Sequence, residues 1–546
     1  MSFLRQNHQP STWYRQALGF ALLLVVFVIL IGWAWFRRDE RMARIRPRSV
    51  PPGDQEIAWF HTATNLNTWE RFIAGVLYAA RSDRELQVDD SQAFPEMTAS
   101  IPEVVISHRR CSGNLRIRWY KQSSQAGMAD WVRALARRHP PPLAIVGGGS
   151  SDRALELAYS LAGQTEWQGA PPLLLITTAT ADKMYTSSGE FRELDLMQVY
   201  EKRSFRFCFT NRQMARAVVD FVWNHRELRP RRPLWSLGAS VAAQSGWQAI
   251  LPALAASRDP WPAEVFRVQW NDDPYSVDLA NQFGYVLITP NAEEESDQRP
   301  WLGALTARAL LDVGSSIGGY LRPNSYEDEA ARRLAVGDAF HIPIPREPFQ
   351  RSLLVLPASP NPARRLLTTL NSASPEIGRH VVALTGDSIN MNNVYRDGPI
   401  MWNVRIVPIP LVFFAHQNPV AWDNPPEGDS ASAIRLDPPN STDEVLHFAD
   451  IVRILTKAVF GSATSTAQRS GVILSRSDEL ADRFRSIDPP FFDETGNRQG
   501  GTGEYIVYLR PRLADEPARP LAKLEVWTHT AEGWRLIRTP LELHDH

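Results

Sequence analysis

Apolar residues fall along this chain in distinct patterns, and each pattern predicts a different kind of element. One is a single unbroken run, ALGFALLLVVFVILIGWAWF over 17–36. About 20 apolar residues are enough for a helix to span a bilayer, and no later segment is comparably long and apolar. A second pattern is the short apolar run closed by Gly, Pro, Ser or Thr, which reads as a buried strand. EIAWFHTA from Glu56, LRIRWYKQ over 115–122, LAIVGGGSS over 143–151, PPLLLITTATA over 171–181 and HVVALTGDSINMNNV over 380–394 are of this kind. A third places apolar residues three or four apart, as on one face of a helix. It covers 65–83, 128–139 (stopped by Pro140 to Pro142), 151–163 and 443–460. Segments 205–225, 263–283 and 351–370 each read as strand, turn and helix, and 504–512 and 522–538 as antiparallel strands, the latter turning at Glu532-Gly533.

Alternating strands and helices argue for parallel sheets. The strands outnumber one comfortable sheet, and RPRRP at 229–233 marks a break, so the expected fold class is α/β with two lobes behind one N-terminal transmembrane helix. The expected division is a tail (1–16), a transmembrane helix (17–36), a basic juxtamembrane linker (37–55), lobe 1 (56–230) and lobe 2 (231–400). The remainder (401–546) returns to lobe 1 and ends in the C-terminal strands.

The most informative pair of segments is LAIVGGGSS and PPLLLITTATA, with a helix between them. Such a unit opens two strand ends side by side, where α/β sheets bind ligands. Glycines let a ligand approach the backbone, and N–H groups at a helix start attract anions. The bland alternatives are a tight turn with a helix cap at 147–151 and ordinary strand-end residues at 177–180. Gly147 to Gly149 lacks the following Gly-Lys-Ser/Thr of a P-loop and the third glycine of a dinucleotide fingerprint. Gly386-Asp387-Ser388 resembles the nucleophile block of SGNH-type esterases, with Ser388 attacking, but no Asp-x-x-His follows near the C-terminus.

Composition narrows the class further. With 44% hydrophobic and 22% charged residues the chain is that of a folded protein, and a net charge of −1 gives no footprint for nucleic acid. Cys111 and Cys208 sit in no metal-ligand spacing and no HExxH occurs, so neither metal nor cofactor is expected. Arg37 to Arg48 is arginine-rich, which by the positive-inside rule argues for a cytoplasmic domain.

In order, these segments resemble type I periplasmic binding proteins, especially leucine and branched-chain amino-acid receptors, from about Glu56 to the C-terminus. The stretch 115–151 looks like that family's second strand, helix, third strand and ligand-cradling turn; LLLITTATA resembles the next strand and its Ala-Thr contact. RFCFTNRQMARAVVDFV is similar to the crossing into the second lobe, FRVQWNDDPYSVDLANQF to its acidic turn before Tyr-Gly, and FFDETGNRQGGTGEYIVYLRP to a late turn before the last strands. Here Ser276 follows Tyr275, Lys121-Gln122 replaces an acidic residue, and 284–350 is longer than in the family.

The resemblance implies a ligand held between lobes that close on a hinge. Ser150 and Ser151, with the backbone N–H groups of Ala179 and Thr180 and the Thr180 hydroxyl, would take a ligand carboxylate. Tyr275 would cover the ligand, and Asp387 would pair an ammonium. It implies a non-enzymatic solute-binding or receptor role toward an amino acid or related carboxylate, with a transporter or envelope protein as partner. It also places the domain outside the cytoplasm, against the arginine count; that placement is the expectation adopted. The alternatives are a non-catalytic envelope scaffold on the same fold and the esterase.

Overall fold

The structure is a computed structural model that describes residues 19–30, 46–96, 100–124, 126–181, 183–185, 193–225, 228, 265–267, 352–355, 367, 381–387, 389, 409–421, 442–461, 471–501, 503–511 and 522–543. Two seven-stranded sheets organise it. The first runs in the order β7-β6-β5-β1-β4-β3-β2. Its strands are β1 (Gln55–Thr62), β2 (Leu86–Asp89), β3 (Glu103–His108), β4 (Asn114–Gln122), β5 (Ala144–Gly147), β6 (Leu173–Ile176) and β7 (Ser204–Arg206). Pairing is parallel from β7 through β1 to β4, and antiparallel only at β3 and β2.

Side chains alternate across a strand, and β1 shows what that does. Ile57 and Trp59 enter one core with Trp69 and Phe72 of α1 (Leu66–Ser82) and Phe448 of α6 (Thr442–Phe460). Ala58 and Phe60 enter the opposite core with Trp131 of α2 (Met128–Ala136) and Leu157 of α3 (Ser151–Ala162). Helices on both faces explain why β5 and β6 are apolar at every position instead of alternating.

The second sheet runs β8-β9-β10-β11-β12-β13-β14. It comprises β8 (Val265–Arg267), β9 (Ser352–Val355), β10 (Val381–Leu384), β11 (Leu411–Ala415), β12 (Tyr505–Pro511), β13 (Ala522–Thr530) and β14 (Gly533–Leu543). It is parallel as far as β11 and antiparallel beyond. The C-terminal hairpin turns at Gly533, whose φ of 107° suits glycine.

The lobes exchange chain at identifiable places. Phe205 and Phe207 pack in the first lobe against Phe484 and Phe492, whereas Phe209 packs in the second against Phe414. After the short α4 (Leu196–Val199) and β7, helix α5 (Asn211–Asn224) lies on the second core, through Met214, Val218 and Phe221. The crossing therefore falls at 207–210, well before the break expected at 229–233. The apolar residues of 205–225 are divided between two cores, within the segment that resembles the family's crossing into the second lobe. From β11 the chain returns to the first lobe as α6 and α7 (Ser477–Arg485), and it leaves again before β12. The last strands thus complete the second sheet.

At the base of the first sheet a buried ion cluster receives the linker. Arg118 bonds Glu56 at 2.6 Å and also Glu103, and Arg138 bonds Glu56 at 2.9 Å. Both arginines also donate to the carbonyl of Arg48, at 2.9 and 2.8 Å. Of the expected transmembrane run, residues 19–30 are helical and exposed, and the remainder lies outside the described residues. Among the described residues no helix is long and apolar enough to cross a membrane.

Candidate functional site

The glycine run after β5 is required by packing. A Cβ on Gly147 would stand 2.4 Å from Leu157 Cδ2, and one on Gly148, whose φ is 83°, would stand 2.6 Å from Ala154 Cβ. Two glycines thus let α3 pack directly on the strand end. Gly149 meets a different neighbour: its Cβ would lie 3.1 Å from His61 Nε2.

The serines that follow have structural partners. Ser150 caps α3, its Oγ accepting the Arg153 N–H at 3.5 Å. Ser151 Oγ accepts the Ala181 N–H at 3.2 Å, and Thr178 Oγ1 donates to the Gly148 carbonyl at 3.4 Å. The two strand-end segments singled out in the sequence are therefore bonded to each other.

Beside this turn lies a cavity of about 220 Å³ at the C-terminal ends of β1, β4 and β5. It is lined by Phe60, His61, Thr62, Asn65, Gln122, Met128, Gly148, Gly149, Ser150 and Arg153. His61 Nδ1 accepts the Thr62 backbone N–H at 2.9 Å, which places the ring proton on Nε2, beside Gly149. Burial, reinforced by the charge of Arg153, holds the His61 pKa below its ordinary value, so the ring is neutral at pH 7. Arg153 donates to Gln122 Oε1 at 3.2 Å. Asn65 stands at the N-cap position of α1 but makes no side-chain cap bond there. The wall is rich in donors, and among the described lining residues the one formal charge at pH 7 is the arginine.

Three further expected site residues, Ala179, Thr180 and Asp387, lie at the crossing between lobes. Ala179 is fully buried, and its carbonyl accepts the Cys208 thiol at 3.5 Å. The carbonyl of Thr180 accepts the Asn211 N–H at 2.8 Å. Burial pushes the Cys208 thiol up to about 12, so it stays protonated. Asp387 bonds His416 Nε2 at 2.9 Å, while His416 Nδ1 takes the Phe209 N–H at 3.4 Å. His447 Nε2 donates to the Thr177 carbonyl at 2.8 Å, its ring 5.5 Å from that of His416. Arg498 stacks on Phe209 with its Cζ 4.0 Å from the ring centre.

The structure thus divides the expected residues. Ser150 faces the cavity; Ser151 links the two strand ends; Ala179, Thr180 and Asp387 sit at the crossing. The Asp387 carboxylate, expected to meet a ligand ammonium, meets His416, because β10 and β11 pair in parallel and the two residues follow shortly after the paired Leu384 and Val412. Tyr275 and Ser388 lie outside the described residues. His61, Asn65 and Arg153 were not expected, and Gln122 was noticed only as a departure. The available signal is position: each lies in the last residues of a strand or at the start of the next helix, where parallel sheets present side chains to ligands.

No protein-family model matches the chain, and neither does any curated protein. Among solved structures it is similar to the leucine-binding protein LivK of Thermotoga maritima, at 11% identity, covering 89% of this chain and 98% of that one, with a TM-score of 0.41. It is also similar to an ABC transporter substrate-binding protein of Desulfitobacterium hafniense, at 14% identity, 88% and 99% coverage and a TM-score of 0.40. A solute-binding protein of R. palustris, solved in complex with benzoate, is similar at 9% identity, 90% and 98% coverage and a TM-score of 0.39. These neighbours are type I periplasmic binding proteins, the group that the sequence resembles.

Proposed function

We propose that the chain is a membrane-anchored solute-binding or receptor protein that recognises a small polar ligand, an amino acid or related carboxylate, between its lobes. It makes and breaks no bond, and it serves a transporter or sensing partner outside the cytoplasm. The observation that carries this reading is the donor-rich cavity where β1, β4 and β5 end, in a protein whose lobes exchange chain close by. Cavities of this kind at strand ends are where open α/β sheets bind ligands. The apolar run 17–36 supplies the anchor, and the linker that follows it reaches the end of β1 opposite the cavity.

A thermal-shift screen of the full chain in detergent against amino acids and small carboxylates tests the reading. A ligand at a hundredfold its Kd adds about 2.7 kcal/mol to the folded state, which raises the unfolding temperature. A stabilising hit is the expected result. An unresponsive panel would favour the scaffold instead.

A further inference from the structure

Resting on that binding role, we infer that the cavity selects small organic carboxylates lacking an ammonium group, with Arg153 as counter-charge and His61 Nε2–H as a second donor.

The lining supports a carboxylate in several ways. Among the described lining residues none is acidic, and Arg153 is the one carrying a fixed positive charge. Its bond to Gln122 Oε1 uses one of five guanidinium N–H groups and steadies the fork, leaving others for a carboxylate. His61 adds a neutral donor in a fixed tautomer, since the Thr62 N–H takes Nδ1. The hydroxyl of Thr62 and the amide of Asn65 lie on the same wall.

Other features set size and exclude the ammonium. Phe60 and Met128, both buried, give the cavity an apolar side for a short carbon skeleton. Its volume of about 220 Å³ lies at the small end of ligand cavities, which suits a small ligand. An ammonium would bring a second positive charge toward Arg153, and Asp387, the carboxylate expected to receive it, bonds His416. A phosphate dianion would find one cation, whereas a single carboxylate matches one guanidinium fork.

Four compounds separate the possibilities in titrations of the full chain in detergent. Butyrate, 2-aminobutyrate and butylamine share a skeleton and differ in the charged groups; inorganic phosphate is the fourth. Butyrate is expected to bind at least tenfold more tightly than 2-aminobutyrate, and butylamine not to bind. Arg153→Gln should weaken butyrate at least tenfold, and His61→Phe severalfold, with each variant's circular dichroism unchanged. Arg153 is exposed, so its replacement leaves the fold intact. Tighter binding of 2-aminobutyrate or phosphate, or an unaltered butyrate Kd in Arg153→Gln, would overturn the carboxylate assignment while leaving solute binding in place. If none of the four binds and a wider amino-acid panel also fails, both readings fall.

Discussion

His447 shows how much a single residue can depend on its surroundings. It is almost fully buried and donates from Nε2 to Thr177. Burial, then the charges of His416 and Arg498, holds its pKa well below 6.5. The unfolded chain takes up a proton near pH 6.5 that the folded chain refuses, so this contribution to stability is complete above that pH and is lost as the pH falls below it. The slope approaches about 1.4 kcal/mol per pH unit for one such group. Urea unfolding at pH 7 and pH 5 should show a smaller loss of stability in His447→Gln than in the wild type. Equal losses would contradict this account. Burial pushes the Asp443 carboxyl up to about 7 and raises that of Glu504, shifts of the opposite sense, so the comparison with the variant isolates the histidine. At this scale the sequence was half legible. The serines and threonines at the strand ends were correctly located, but a hydroxyl in a sequence carries no sign of whether a helix cap or a ligand will use it. Ser150 and Ser151 have structural partners here, and the side chains lining the cavity beside them come from strands distant in sequence.

Elements were far easier to read than their assignment to lobes. The run LAIVG gives β5, LLLI gives β6, and the 3.6-residue period over 443–460 gives α6, because burial on one face or both leaves a direct mark on composition. Lobe membership leaves no such mark: Phe205, Phe207 and Phe209 look alike in sequence and pack in different lobes. The N-terminal run is the element with the widest functional consequence. Its described part is helical and exposes Phe20, Leu23, Phe27 and Ile29, side chains suited to lipid. If the anchored domain faces outward as proposed, protease added to intact cells should digest it while a cytoplasmic control protein survives. Protection until the cells are lysed would place the domain inside, as the arginines of 37–48 argue.

The whole molecule has a direction. The linker meets the first sheet at Arg48, beside Glu56, whereas the cavity lies past Phe60 at the other end of β1. The ion cluster around Arg118 holds the linker end through the Arg48 carbonyl. Arg118 is enclosed by Glu56 and Glu103 and is held charged by them against the effect of burial. The ion cluster thus lies at one end of β1, and the proposed recognition cavity at the other. Hydrogen–deuterium exchange of the full chain tests this most directly, measured with and without a saturating amount of the tightest-binding compound from the ligand screen. The account predicts slowed exchange at 61–65 and 148–154, around the cavity, with the linker end near Arg48 unchanged. Protection confined to other segments, with these two unaffected by a compound that binds, would contradict it.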